Sequence, residues 1–266
     1  MLLHINHTTT YQYDAPIDYG LQQIRLTPKD RDGQKVVRWN IAIDGGKKEL
    51  SFSDHHANIV DLVSVTPGRD RIVIRCSGEV EVSDSSGVVG LHRGFMPLWA
   101  FRQPTPLTQA GPQIQALVEE LGTDFSDDIS RGHALSALIG KHMPYETGRT
   151  GAETSAEQAL GIGFGVCQDH AHVFLASMRL LGHPARYVSG YLMMNDRQHQ
   201  DATHAWAETY MDGIGWVGFD VSNGYSPDDR YVRVATGLDY EDASPISGMR
   251  YGSSNENMVV QLQVQQ

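Results

Sequence analysis

The segment at residues 171–181 reads AHVFLASMRLL and is apolar on nearly every face. A helix at the protein surface would keep one polar face, so this pattern predicts a helix buried at the centre of the fold. Gly182 can cap the C-terminus of that helix, and Pro184 prevents its continuation. The rest of the chain must therefore fold around this helix.

The predicted helix begins beside a thiol. Cys167 follows glycines at positions 161, 163 and 165, and the helix is expected to start near Val166. At that place the unpaired backbone N–H groups and the positive end of the helix dipole favour a thiolate. Cys167 is therefore the candidate nucleophile.

Two further residues complete a candidate catalytic set. His204 lies in the segment DATHAWAE, and Asp220 ends the segment GWVGFD. An imidazole titrates in the range needed to take a proton from a thiol and return it to a leaving group. A carboxylate can hold the imidazole in the required tautomer. Cys167, His204 and Asp220 are thus predicted as the catalytic residues of an acyl-transfer enzyme.

The segments that carry His204 and Asp220 predict two strands. Residues 203–210 alternate small with larger side chains, residues 216–220 form a second short strand, and a hairpin is the simplest connection. A two-residue turn at Asp212 and Gly213 would turn Asp220 to the face opposite His204, whereas a loop with an odd number of residues keeps both on one face. We therefore predict an odd loop or a bulge.

Three side chains next to this set have two interpretations each. Trp206 and Trp216 are candidate substrate-binding residues that wall the site, and an ordinary core role carries equal weight. Glu208 shares the face of His204 and is a candidate to bind or orient the substrate, but a solvated carboxylate at a strand end is the preferred interpretation.

Taken together, these motifs resemble the bacterial transglutaminase-like superfamily. The segments GVCQD, HAWAE and GWVGFD, with ARYVSGY between the first two, all lie within residues 160–225. The resemblance implies a papain-like core with its triad on Cys167, His204 and Asp220, preceded by an N-terminal β domain. Many bacterial members are described as cysteine proteases. This chain departs from the family pattern at His170, where a packed histidine is expected, and at VSN after Asp220.

The organisation of the chain changes near residue 100, and the fold is predicted to be α+β. Residues 1–100 predict an antiparallel, sandwich-like β domain with strands at 21–26, 36–43, 58–65, 71–76 and 79–82. Residues 101–266 predict the papain-like catalytic core, with the nucleophile helix packed on an antiparallel sheet. Its other helices are expected at 113–121, 130–142 and 155–160, and a C-terminal strand at 258–264. The stretch 247–257, rich in Gly, Ser and Asn, predicts a surface loop.

Composition narrows the possible partners. The chain has 266 residues and a formal net charge of −11, which argues against nucleic acid or an anionic membrane as the main partner. A peptide or protein amide is the expected substrate, and the oligomeric state stays open. No apolar run is long enough to span a bilayer, and the start MLLHINH lacks the features of a secretory signal, so the cytoplasm is expected.

Neither a metal nor a cofactor is predicted. The only cysteine besides Cys167 is Cys76, which lies in a predicted strand and is expected to be a small buried residue rather than a disulfide partner. Twelve histidines occur, but none has the spacing of a HExxH zinc motif. The adjacent pair His55 and His56, the pair His170 and His172, and His199 are therefore set aside as ligands.

The expected reaction is hydrolysis of a peptide or amide bond through a thioester acyl-enzyme. Hydrolysis is preferred because it needs no second substrate site. Transfer of the acyl group to a primary amine, as in a transglutaminase, is the first alternative. A non-catalytic binding or scaffold module that retains the fold is the second.

Overall fold

The computed structural model describes residues 1–251 and 255–266, and it has the expected α+β fold. The helices are α1 (Pro112–Leu121), α2 (Asp128–His142), α3 (Ala156–Ile162), α4 (Cys167–Leu180) and α5 (Tyr240–Ala243), with 3-10 turns at Leu98–Arg102 and Pro106–Thr108. Among the residues described, no helix is both long and apolar enough to cross a membrane.

The strands form three antiparallel sheets. Before the helices lie β1 (Leu2–Ile17), β2 (Tyr19–Thr27), β3 (Gln34–Asp44), β4 (Gly46–Ser53), β5 (Ile59–Val65), β6 (Arg69–Val82) and β7 (Val88–Gly90). After them lie β8 (Ala185–Leu192), β9 (His199–Gln200), β10 (His204–Met211), β11 (Gly215–Phe219), β12 (Tyr231–Gly237), β13 (Ile246–Tyr251) and β14 (Glu256–Gln265).

Two of the sheets form the predicted β-sandwich. One has the strand order β3-β6-β1-β14-β9 and the other β13-β2-β5-β4. Side chains of β1 and β2 alternate between buried and less buried positions, as expected for strands with one face on a core. Tyr11 and Ile72 from the first sheet meet Ile24 and Val63 from the second in one apolar cluster.

The predicted strands of the sandwich are correct except at one place. Segments 71–76 and 79–82 are parts of the single strand β6, because Gly78 does not interrupt the pairing but lies close against the backbone of Arg38 and Trp39 in β3. The long strand β1 and the strand β4 were not predicted. The buried face of β1 includes the polar residues His7 and Thr9, so its sequence shows no regular apolar alternation.

The third sheet is the core on which the nucleophile helix packs, as predicted. Its order is β12-β8-β10-β11-β7, and α4 lies against one face of it. Ala205 and Ala207 of β10 join Val173 and Phe174 of α4 in the largest apolar cluster, because small side chains let the helix approach the sheet. Nearly all of α4 is buried, so its apolar character on every side is explained.

The end of the chain returns to the sandwich. Strand β14 pairs with β1 over ten residues, from His4 with Gln265 to Tyr13 with Glu256, and β13 pairs with β2. Conversely, β7 pairs with β11 of the core sheet. The surface loop predicted at 247–257 is wrong for the parts that belong to β13 and β14, and residues 252–254 lie outside the described structure. The domain boundary at residue 100 stays a prediction.

Candidate active site

Cys167 is the first residue of α4, as the sequence predicted. The side chain of Asp169 caps this helix end, because its Oδ2 accepts the backbone N–H of Val166 at 2.8 Å and the hydroxyl of Thr150 at 2.7 Å. A Cβ at Gly165 would come within 2.7 Å of the Asp169 Cβ, so the glycine permits this close turn. Cys167 is a free thiol and is partly exposed.

The hairpin that carries the other two residues has the predicted odd loop. Met211 pairs with Gly215, which leaves the three residues 212–214 between β10 and β11. In this register Asp220 follows β11 on the same face as His204. The Nε2 atom of His204 lies 2.6 Å from Oδ2 of Asp220. The loop length thus allows the imidazole and the carboxylate to meet.

Asp220 is held in place by three more donors. The hydroxyl of Tyr231 and the side-chain amide of Asn223 each donate to its Oδ2 at 2.7 Å, and the Asn223 backbone N–H donates to Oδ1 at 3.3 Å. Burial by itself would raise the pKa of this carboxyl, but His204 and these hydrogen bonds lower it. Asp220 is therefore ionised at neutral pH.

The environment of His204 favours its charged form. Burial lowers the pKa of the imidazole, but the charge of Asp220 and its hydrogen bond, together with the hydrogen bond to Cys167, raise it to about 10. Because Nε2 is bonded to Asp220, Nδ1 is the ring nitrogen left for the thiol. The site can thus hold an imidazolium that is paired with the Asp220 carboxylate and lies beside the sulfur of Cys167.

The two candidate tryptophans lie in different places. Trp206 stacks on His204 with ring centroids 6.3 Å apart and packs edge-on against Tyr231, so it shields the bond between His204 and Asp220 from water. Trp216 donates to Nδ1 of His92 at 3.2 Å and lies under the guanidinium of Arg186. That position favours a structural role, and substrate binding by Trp216 stays a prediction.

His170 is a packed histidine, as expected. Its Nε2 donates to the carbonyl of Met143 at 2.7 Å, and its Nδ1 accepts the hydroxyl of Ser222 at 2.8 Å. Both ring nitrogens are occupied, and burial lowers its pKa. His170 therefore braces α4 against the segment that follows Asp220.

The prediction of a solvated Glu208 is wrong. Its side chain is fully buried and pairs with Arg186 at 2.6 Å and with Arg233 at 2.9 Å. Burial would raise the pKa of Glu208, but the neighbouring guanidiniums lower it to about 2. The strand that carries His204 is thus fixed to β8 and β12 by buried ion pairs.

Three tyrosines near the thiol were not singled out from the sequence. Burial raises the pKa of Tyr145, Tyr187 and Tyr240, and the charge of Cys167 raises it further in each case. Tyr187 lies in the motif ARYVSGY, so the sequence did contain an indication of this tyrosine. Nothing in the local sequence distinguishes Tyr145 or Tyr240, because only the fold brings them to the thiol.

A cavity of about 230 Å³ opens beside Cys167 and His204. One wall comes from the core and includes Tyr187 and Tyr240. The opposite wall comes from the two long strands of the sandwich, and its residues are His7, Thr9, Tyr11, Met258 and Val260. The sandwich therefore contributes residues to the cavity of the candidate active site.

The histidines set aside as metal ligands have other contacts in the structure. His55, His56 and Asp242 bring one ligand atom each to within 4.8 Å of one another, but Nε2 of His56 already bonds to Asp242 at 3.0 Å. His172 accepts the backbone N–H of Tyr240 through Nε2 at 3.1 Å. The expectation that no metal is bound stays a prediction.

Comparisons with known proteins agree with this architecture. Residues 115–221 match the model of the transglutaminase-like superfamily, and residues 3–81 match that of the bacterial transglutaminase-like N-terminal region. An uncharacterized protein of Mycobacterium tuberculosis is 28% identical over 287 residues, which cover 98% of this chain and 90% of the relative. An uncharacterized protein of Mycobacterium leprae is 24% identical over 275 residues, or 98% of each chain.

A solved structure gives the same fold. It carries the name "Putative Cysteine Protease from Cytophaga hutchinsonii", and it aligns with a TM-score of 0.79 and 23% sequence identity over 99% of this chain and 90% of its own. The fold, the two family matches and the arrangement of the core thus agree. The chain therefore has a core of the transglutaminase-like superfamily at residues 115–221, preceded by a bacterial transglutaminase-like N-terminal region at residues 3–81.

Proposed function

We propose that this protein is a cysteine-nucleophile enzyme that hydrolyses peptide or amide bonds with Cys167, His204 and Asp220 as its catalytic triad. The observation that carries the proposal is the bond from His204 to Asp220 at 2.6 Å, on an imidazole that also contacts the thiol at a helix start. The core of the transglutaminase-like superfamily supports a cysteine-based enzyme.

The first half of the reaction forms a thioester. The sulfur of Cys167 attacks the carbonyl carbon of the amide, and the thiol proton resides on His204. The negative charge that develops on the carbonyl oxygen is stabilised by the backbone N–H of Cys167, which points out of the first turn of α4. The C–N bond then breaks, and His204 gives its proton to the departing amine.

The second half releases the acid. His204, now neutral, takes a proton from water, and the hydroxide oxygen attacks the thioester carbonyl. The C–S bond breaks, the carboxylic acid leaves, and the sulfur and the imidazole return to their starting state. Asp220 keeps the ring oriented throughout, since the donors from Tyr231 and Asn223 fix its carboxylate.

The cavity beside the thiol favours an acyl group with an uncharged side chain. Aromatic and aliphatic groups of Tyr11, Tyr240, Met258 and Val260 form much of its wall. An unpaired charge placed against such a wall would lose its hydration without compensation. We therefore expect apolar or aromatic residues on the acyl side of the scissile bond.

Thiol labelling tests the nucleophile. Iodoacetamide should modify Cys167 at neutral pH on the order of a hundred times faster than Cys76, because an activated thiolate reacts and a buried thiol does not. Cys76 is 2% exposed, and burial, followed by the charge of Asp61, raises its pKa to about 12.

A matched variant separates activation from mere exposure. His204→Gln should slow the labelling of Cys167 at pH 6, where only a thiolate stabilised by an imidazolium reacts. Labelling of Cys167 that is equally slow in both proteins would refute the triad and favour a non-catalytic scaffold.

Product analysis tests hydrolysis against amine transfer. A library of uncharged peptide amides is incubated in water with ¹⁸O, with and without a primary amine such as glycine ethyl ester, and products are read by mass spectrometry. We expect ¹⁸O in the new carboxylate, and no product with Cys167→Ser. Amine incorporation that exceeds cleavage would replace hydrolysis with acyl transfer while keeping Cys167 as nucleophile.

A further inference from the structure

A second cavity, of about 370 Å³, lies between the sandwich and the core sheet, and the proposed reaction does not use it. Five cationic side chains line it, namely Lys29, Arg31, Arg93, Arg186 and Arg233, together with the carboxylates of Asp30 and Asp32. We call it the basic cavity. Such a concentration of positive charge is notable in a chain whose formal net charge is −11.

The core side of the basic cavity has fewer negative than positive charges. Arg186 and Arg233 share the single carboxylate of Glu208, at 2.6 Å and 2.9 Å. The guanidinium of Arg186 also lies over the ring of Trp216, with its Cζ 3.8 Å from the ring centroid. This pair therefore presents fixed, planar donors and an excess positive charge to the cavity.

The sandwich side of the basic cavity adds positive side chains that carboxylates balance only weakly. Arg31 makes no ion pair within the described part of the chain, and its buried Nε has no hydrogen-bond partner there. The Nζ of Lys29 donates to the carbonyl of Ala57 and not to a carboxylate. Burial, and then the charge of Arg233, lower the pKa of Arg31 to about 10 and that of Lys29 to about 8.

The two acidic residues of the lining do not neutralise this excess. Asp30 is exposed, and its Oδ1 accepts the backbone N–H of Val36 at 2.7 Å. Asp32 pairs at 3.3 Å with Arg93, and both side chains are largely exposed. Arg186 and Arg233 thus share the buried carboxylate of Glu208, which attracts Arg31 only at longer range. Lys29 is attracted by Asp54, a carboxylate that already pairs with Arg25 at 3.4 Å. A buried charge is unfavourable unless it is paired, so this excess of cationic side chains favours the binding of an anion.

We propose that the basic cavity binds a small multivalent anion that carries phosphate or carboxylate groups. The planar donors of arginine match both groups, and Arg31 offers an unsatisfied one. The cavity volume lies within the range of small-molecule sites, about 300–1,000 Å³. Since Arg31 belongs to the sandwich and Arg186 and Arg233 to the core, the ligand joins the two parts of the molecule.

Calorimetric titration of the full chain with pyrophosphate and, separately, with citrate tests the proposal at constant ionic strength set with sodium chloride. At least one of the two anions should bind saturably at one site per chain, and the pair shows whether phosphate or carboxylate is preferred. Arg31→Gln should weaken that binding by roughly 10- to 100-fold, the loss expected for a hydrogen bond to a charged group.

The matched control is Arg75→Gln, which removes the same charge from an exposed position on β6 and should leave the affinity unchanged. If Arg31→Gln does not fold, Arg93→Gln at the exposed mouth should weaken binding by about threefold. Saturable binding by neither anion overturns the proposal. Binding that is unchanged in the folded Arg31→Gln or Arg93→Gln variant also overturns it, because the anion then sits elsewhere.

Discussion

The imidazole of His204 and the carboxylate of Asp220 meet at 2.6 Å because the three-residue loop between their strands keeps both on one face of the hairpin. Both side chains are buried, and Trp206 covers the His204 ring on one side. A hydrogen bond between charged groups is stronger where water is excluded. This geometry therefore fixes both the tautomer and the orientation of the ring.

Replacing Asp220 by Asn should lower kcat by roughly 10³- to 10⁴-fold with little change in KM, because an amide no longer holds the catalytic tautomer. Turnover of a peptide amide identified in the library measures the effect. Asp212→Asn is the matched control, since it makes the same change in the exposed loop of the same hairpin. Loss of less than tenfold in Asp220→Asn would contradict the proposed role.

The protonation of His204 should extend far above neutral pH. Its folded-state pKa of about 10 exceeds the unfolded value of 6.5. The stabilisation it contributes is therefore fully present below pH 6.5 and is lost as the pH rises through about 10. Nitrogen-15 NMR of the imidazoles should show a protonated His204 from pH 6 to pH 9.

His7 provides an internal reference in the same NMR titration, because its pKa is lowered whereas that of His204 is raised. Burial lowers its pKa to about 4, so its ring should be neutral from pH 6 to pH 9.

The stability contributed by the charged His204 can also be measured. The free energy of unfolding of the wild type, relative to that of His204→Gln, should decrease between pH 7 and pH 10. A difference that stays constant or grows with pH would show that His204 is not held in its charged form.

The features of the site that could be predicted from the sequence are those set by local pattern. The apolar run after Cys167 predicted a buried helix. Strand alternation, with His204 and Asp220 required on one face, predicted an odd loop or a bulge, and the structure has the odd loop at residues 212–214. The adjacent Asn223 was within reach of the same reasoning, because it follows Asp220 by three residues and donates to it.

Other parts of the site depend on pairings that one sequence does not display. Glu208 was expected in solvent because its partners Arg186 and Arg233 lie on the separate strands β8 and β12. Tyr11 and Met258 reach the cavity only because β14 returns to pair with β1, nearly the whole chain length away. Local periodicity identifies a strand but not its neighbours.

Met258→Glu should impair the proposed substrate site without unfolding the protein. Met258 lines the cavity beside Cys167 and is 55% exposed, so a glutamate can be accommodated but places a charge against the apolar wall. KM for an uncharged acyl donor should rise by roughly tenfold, about the effect of losing one apolar contact and adding a charge. Steady-state kinetics with peptide amides measure it.

The control for this change is Met249→Glu. Met249 is 69% exposed on β13 and is not among the described residues that line the cavity at Cys167. Its kinetics should match the wild type. Equal effects of the two substitutions would indicate that net charge, and not the cavity wall, determines the change.

Glu208→Gln should destabilise the fold, because the variant leaves Arg186 and Arg233 beside each other without the carboxylate that both of them bind. Breaking a buried ion pair from one side costs about 3–5 kcal/mol, and here two guanidiniums lose their partner. Chemical denaturation followed by tryptophan fluorescence measures the free energy of unfolding.

Glu49→Gln is the control, because it removes a carboxylate that pairs with Lys47 at the surface, and it should not change the free energy of unfolding measurably. Since Glu208 shares β10 with His204, the variant should keep its activity at low temperature and lose it on heating before the wild type does. An unchanged unfolding free energy would mean that Arg186 and Arg233 are neutralised by another group, which would also weaken the case for an anion in the basic cavity.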